Sequence, residues 1–313
     1  AARLTEDADA KVLLLEAGGD DDYLWIHIPV GYLYCIGNPR TDWMYRTEPD
    51  PGLNGRQLRY PRGRVLGGCS SINGMIYMRG QSRDYDQWSA LAGDDAWRWQ
   101  ACLPYFMKHE DHWRGADEMH AAPGFDATGA RSGGEWRVER QRLSWEILDA
   151  FSAAAQQAGI PAQQDFNRGD NEGVGYFEVN QRRGVRWSAT RAFLRPAIRR
   201  RNLEVRTGCQ VSRLLLGRPA GGPLRALGVE YRDEQGQIQH VRATAEVVMA
   251  AGAVGTPQIL QLSGIGAGAW LQPLGVEPQH ELPGVGENLQ DHLQIRAVFA
   301  VEGVKTLNRI ANT

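Results

Sequence analysis

An α/β fold, α+β overall, is predicted for these 313 residues by three observations. Lys11–Gly19 is a short apolar run closed by Glu16 and two glycines, the pattern of a buried parallel strand that presents a carboxylate to a ligand. Val247–Gly252 is a second such run, followed by a helical stretch with Thr256 placed as N-cap and Pro257 at the first helical position. Between them, Leu203–Leu216, Ala226–Tyr231 and Gln237–Val248, broken by turns around Pro219–Pro223 and Asp233–Gly236, read as a small antiparallel sheet. A Rossmann-like sheet with an antiparallel insertion accounts for all three. Its phosphate-binding G-x-G-x-x-G loop belongs ~20 residues before the ribose acid, which is upstream of Ala1, so an incomplete domain is expected.

In chain order, Ala1–Asp9 is expected to be helical, and Asp20–Tyr60, rich in Pro, Gly, Asp and aromatic residues, reads as a long functional excursion of loops. Next comes Gly63-Arg64-Val65-Leu66-Gly67-Gly68-Cys69-Ser70-Ser71-Ile72-Asn73-Gly74-Met75-Ile76, continued to Asp86. Adjacent glycines followed by small residues let main-chain N–H groups approach a large ligand. Val65, Leu66, Ile72, Met75 and Ile76 are expected to bury its flanks, unlike those of a surface turn. Residues 81–196 are dense in tryptophan, with helices expected at Asp84–Leu91, Trp99–Lys108 and Ser144–Ala158, the last stopped by Gly159-Ile160-Pro161. An aromatic wall of this kind suits an apolar or cationic substrate, although such residues are more often plain core.

Several functions are excluded on composition and spacing. A formal net charge of -2 offers no global field for nucleic acid, and no apolar run approaches the ~20 residues of a membrane helix. Cys35, Cys69, Cys102 and Cys209 are scattered, which fits reduced thiols and a cytoplasmic location, membrane association being left open. His109, Glu110, Asp111, His112 and His120 do not fall on one helical face and lie in what reads as a loop rich in Gly and Ala, so no metal site is expected. Ser263 lacks the glycine two residues before it that a nucleophile elbow needs, that position being Gln261. His292, after Pro283-Gly284-Val285-Gly286-Glu287-Asn288-Leu289-Gln290-Asp291, could be a general base or a structural histidine.

The stretch from Gly63 to Asp86, together with Gly252-Ala253-Val254-Gly255-Thr256-Pro257-Gln258-Ile259-Leu260-Gln261-Leu262-Ser263-Gly264-Ile265-Gly266, resembles the two signatures of the glucose-methanol-choline (GMC) flavoprotein oxidoreductases, in their order and spacing. Cys69 departs from the Gly, Ser or Thr usual there. The resemblance, which is to enzymes like the bacterial choline and alcohol dehydrogenases and covers nearly the whole chain, implies FAD as cofactor and a small-molecule alcohol as substrate, with hydride passing to flavin N5. It leaves the electron acceptor open. It implies an FAD-binding domain of residues 1–80 and 197–295 and a substrate domain of residues 81–196 and 296–313, each missing a part. Glu16 would hold the ribose and Val211 would meet the adenine. Val65, Gly67, Gly68, Asn73, Gly74, Met75 and Ile76 would lie along the flavin, with Ala251, Gly252, Asp291 and His292 also on the cofactor. No catalytic residue is expected within the chain, the family's histidine falling beyond Thr313. A flavin-containing hydroxynitrile lyase of the same family and an inactive truncated product are the rival readings.

Overall fold

The apolar run Val12–Leu15 is a strand, and it pairs with Leu203–Arg206. Val12 donates to the Asn202 carbonyl and Glu16 to that of Arg206, so both chains advance together, as parallel strands do. The computed structural model describes residues 1–125 and 131–306, and in it the fold is mixed α/β. Residues 307–313, the end of the expected substrate domain, lie outside the described residues. The chain divides into two units: Ala1–Val12 with Asp20–Leu203 and the residues from Phe299 on, and Leu13–Gly19 with Glu204–Val298.

In the Leu13–Gly19/Glu204–Val298 unit, Gln210–Gly217, Arg225–Arg232 and Ile238–Arg242 form the expected antiparallel sheet in that order. Its inner face buries Cys209, Leu214, Val229 and Tyr231 against Ile259 of a helix, Gly252–Leu262. Two expectations fail here. Val247–Gly252 is not a buried strand: Val247 and Met249 rest on the core while Val248 is 63% exposed, because no described strand forms a ladder with it. The helix begins at Gly252, which turns the chain at φ +83°, so Thr256 and Pro257 lie inside it. The Thr256 hydroxyl still serves the helix start, accepting the Ala251 N–H at 3.0 Å.

In the other unit, helices run Ser82–Ala92, Trp99–His109 and Glu146–Gln157, close to expectation. Asp84 Oδ2 accepts the Gln81 N–H at 2.9 Å at the first start, and Gly93 ends that helix at φ +64°. A four-stranded sheet runs Ile76–Tyr77, Glu178–Val179, Trp136–Arg140, Glu110–His112, the last pair parallel. Ala1–Asp9 is not a helix beyond a single turn at Leu4–Glu6, since the Asn202 amide takes up the carbonyls of Asp7 and Ala10. Among the described residues no helix is long and apolar enough to cross a membrane.

Candidate functional site

The glycine stretch is a tight loop built on backbone contact. Gly63 bridges to Asp42, and the buried Asp42 carboxylate accepts N–H groups from Gly37, Met44 and Arg62 at 2.8, 3.0 and 3.1 Å. A Cβ on Gly63 would stand 2.3 Å from the Gly68 carbonyl carbon, and one on Gly67, at φ +88°, 2.4 Å from Ser71 Oγ and 2.6 Å from Thr190 Oγ1. By contrast, a Cβ on Gly68 or Gly74 would meet nothing within 4 Å. The loop is therefore pressed onto the protein at its first and second glycines and open at its third and fourth. Gly63→Ala is expected to cost about 1–3 kcal/mol by overpacking and to loosen the loop; thermal denaturation with the melting point unchanged would contradict this.

After Gly67 the chain makes a 3-10 turn, Gly68–Ser71, held by Ser70 Oγ and Ser71 Oγ donating to the carbonyls of Gly67 and Leu66 at 2.6 and 2.8 Å. Val65, Leu66, Ile72 and Met75 are buried as expected, with Val65 and Ile72 packed on Ile26 and Cys35. Ile76 is not. It is 48% exposed, because Met75 at φ +64° turns the strand so that Tyr77 goes inward in its place. Asn73 and Gly74 are exposed, and Asn73 Oδ1 accepts the Met75 N–H at 3.0 Å.

Beneath this loop lies a residue that the sequence reading missed. Arg186, 1% exposed, donates through Nε to the Ile26 carbonyl at 2.7 Å and through Nη1 to the Ser70 carbonyl at 3.1 Å and Asn73 Oδ1 at 2.8 Å. Among the described residues no carboxylate pairs with it, and its Nη2 is buried without a hydrogen-bond partner, as is Thr190 Oγ1 beside Gly67. Burial pushes the guanidinium down to about 10. An arginine between Val185 and Trp187, in a strand whose register turns it inward, was the available signal.

The loop's far end enters a buried ionic network. Arg79 donates to Glu110 Oε1 at 2.7 Å, the Met119 carbonyl at 2.6 Å and the Tyr77 hydroxyl at 3.1 Å. His120 bridges Glu110 through Nδ1 at 3.1 Å and Asp165 through Nε2 at 2.9 Å, while stacking at 3.8 Å on His112, whose Nε2 meets Glu178 at 3.0 Å. Burial alone would lower His120, but the hydrogen bonds to Asp165 and Glu110 raise it to about 9. The expectation of a loop here is corrected: Glu110–His112 is a buried strand, and residues two apart on a strand share a face. Glu110, His112 and His120 thereby bring ligand-type atoms within 4.8 Å of one another. The Arg79 guanidinium and the His120 imidazolium already supply the cations among those carboxylates, and a metal ion would sit against both.

The remaining expected site residues belong to the other unit. Glu16 Oε1 accepts the Gly18 N–H at 2.7 Å, fixing the glycine turn after the strand. Val211 is half-buried at a register shift of its strand, and Ala251 and Gly252 open the Gly252–Leu262 helix. Asp291 and His292 are exposed on a segment outside any helix or strand, and the Asp291 carboxylate accepts the His292 N–H at 2.8 Å. Ser263 is structural, its Oγ donating to the Ile259 carbonyl and accepting the Leu214 N–H.

The sequence model of the GMC oxidoreductase family matches residues 13–294. The chain is 41% identical over 308 residues to the oxygen-dependent choline dehydrogenase of Photobacterium profundum, covering 98% of this chain and 52% of that protein. It is 42% identical over 302 residues to the mitochondrial choline dehydrogenase of Homo sapiens, covering 94% and 48%. Among solved structures, pyridoxine 4-oxidase from Mesorbium loti is similar at a TM-score of 0.83 and 36% identity, over 93% of this chain and 54% of that one. The chain spans about half the length of the curated relatives it matches.

Proposed function

The chain belongs to the GMC oxidoreductase family, and from that premise we propose that the protein binds FAD and oxidises a small-molecule alcohol to an aldehyde. Choline, the substrate in the names of two relatives, is the first alcohol to test. The observation that carries this reading is the construction of the 63–76 loop: closed against the protein at Gly63 and Gly67, open at Gly68 and Gly74, and backed by a buried guanidinium with no carboxylate of its own. Those features fit a flat cofactor that is laid against the backbone and gains negative charge on reduction.

In this reading Val65, Gly67, Gly68, Asn73, Gly74, Met75 and Ile76 hold the isoalloxazine, with Asp291 and His292 also assigned to the cofactor. Glu16 accepts hydrogen bonds from the ribose, Val211 meets the adenine, and Ala251 and Gly252 offer a helix start to the anionic cofactor. When bound, FAD supplies the hydride acceptor. The functional division proposed is residues 1–80 and 197–295 for the cofactor and residues 81–196 and 296–313 for the substrate. Four free cysteines, two of them buried, support a reducing compartment such as the cytoplasm.

The test is anaerobic addition of choline or another primary alcohol to the FAD-loaded protein in a form that also carries the histidine expected beyond Thr313, since this chain by itself is expected to be inactive. Bleaching of the yellow chromophore is expected. A flavin that stays oxidised while a cyanohydrin is cleaved would replace this reading with a lyase.

A further inference from the structure

Arg186 is unusual among the buried charges of its unit. Arg79, equally enclosed, has Glu110 at 2.7 Å, and Arg137, half-buried, has Asp111 at 2.7 Å. Among the described residues Arg186 has only neutral acceptors: two carbonyls, from Ile26 and Ser70, and the Asn73 amide oxygen. Cys35, fully buried, is the other titratable group beside it, and burial pushes that thiol up, away from the ionised form that could neutralise the arginine. A buried, unneutralised cation is costly to fold around, and an interior that keeps one retains a fixed positive potential where the dielectric is low.

The acceptors are not scattered. Ser70 and Asn73 bracket the turn that leads to Gly74, and Ile26 belongs to the short helix Leu24–His27 packed behind Val65 and Ile72. One guanidinium thus ties that helix, the 3-10 turn and the exposed Asn73 together. The Ser70 hydroxyl is engaged on the same side, accepting the Ala189 N–H at 2.9 Å from the segment that follows Arg186.

We propose that Arg186 is a positioning residue for the bound flavin, one that fixes the Ser70–Asn73 turn and lends the loop a permanent positive charge that favours the reduced cofactor. The inference rests on the FAD-binding reading above. Taking up a hydride adds negative charge to the ring system, and a preorganised cation nearby stabilises that charge without reorganising. Asn73 is the relay, since its Oδ1 accepts from Arg186 and from the Met75 N–H together.

The test is the two-electron reduction potential of the flavin-loaded full chain, by equilibration with a reference dye. Arg186→Gln is expected to shift the reduction equilibrium at least tenfold toward the oxidised form, about 30 mV for a two-electron couple. Arg186→Lys, which keeps the charge, should recover most of the shift. Asn73→Asp brings a carboxylate to the guanidinium and should lower the potential in the same direction. The double variant should then fall by less than the sum of the single changes, the mark of coupled residues. If Arg186→Gln does not fold, Asn73→Asp and Arg186→Lys decide the matter. Loaded variants that all titrate at the wild-type potential, even with reduced thermal stability, overturn the inference alone. A wild-type protein that takes up no flavin overturns the functional reading and this inference with it.

Discussion

Arg79→Met should cost about 3–5 kcal/mol of folding stability, the loss seen when one partner of a buried ion pair is removed. The Arg79 and Glu110 side chains are both fully enclosed, and methionine would leave the Glu110 carboxylate facing only His120 and the Ala121 N–H. The Met119 carbonyl and the Tyr77 hydroxyl would lose their donor as well. Arg168, by contrast, reaches Asp117 from a side chain that is 38% exposed, and Arg168→Gln should change stability by about 1 kcal/mol or less. Urea denaturation of the two variants side by side checks the pair. If Arg79→Met falls within the range of the Arg168 variant, the network is not what holds this sheet to its neighbours.

The second large effect is alkaline. His120 lies between Glu110 and Asp165, stacks on His112, and has Arg79 Nη2 3.4 Å from its Nδ1. Its folded pKa of about 9 exceeds the ordinary value of 6.5, so its contribution is complete below 6.5 and is lost as pH rises through about 9. Glu110 and Asp165 act in the opposite sense. Burial would raise both, but the His120 hydrogen bonds hold them below their ordinary values of 4.5 and 3.8, so their share is present above those values and is lost on acidification. Stability should therefore be highest between about pH 5 and 6.5 and decline toward pH 10 by on the order of 3 kcal/mol. The melting temperature followed from pH 6 to 10 measures it. His120→Gln should lower the whole curve and flatten its alkaline limb, and an alkaline limb as steep as in the wild type would show that other groups carry it.

What the sequence disclosed follows from which signals are local. The helices Ser82–Ala92 and Glu146–Gln157 carry their own stop glycines, Gly93 and Gly159, and the three-stranded sheet carries its own turns, so both were legible. The loop at Gly63–Met75 was legible because close backbone approach demands glycine at Gly63 and Gly67. The ionic network was not. Its members come from Arg79, Glu110, His120, Asp165 and Glu178, and only tertiary pairing of Glu110–His112 with Trp136–Arg140 sets the strand period that buries them. Thr256 and Pro257 misled for a related reason: both are N-terminal helix signals, yet Gly252 makes the turn that starts the helix four residues earlier than Thr256. Arg186 escaped notice because a lone arginine in a short strand carries no mark of burial until Ile26 and Ser70 close over it.

Because the glycine stretch runs unbroken from the exposed Gly74 into the buried Arg79, its two halves should differ in amide hydrogen exchange. The Arg79 N–H, donated to Asn167 Oδ1 at 2.8 Å inside the ionic network, should trade deuterium only when the whole unit opens. The Gly74 amide, five residues away on an exposed turn, should label through local fluctuations alone, so that a single short peptide spanning Ile72–Gly80 reports both the global and the local opening of this unit.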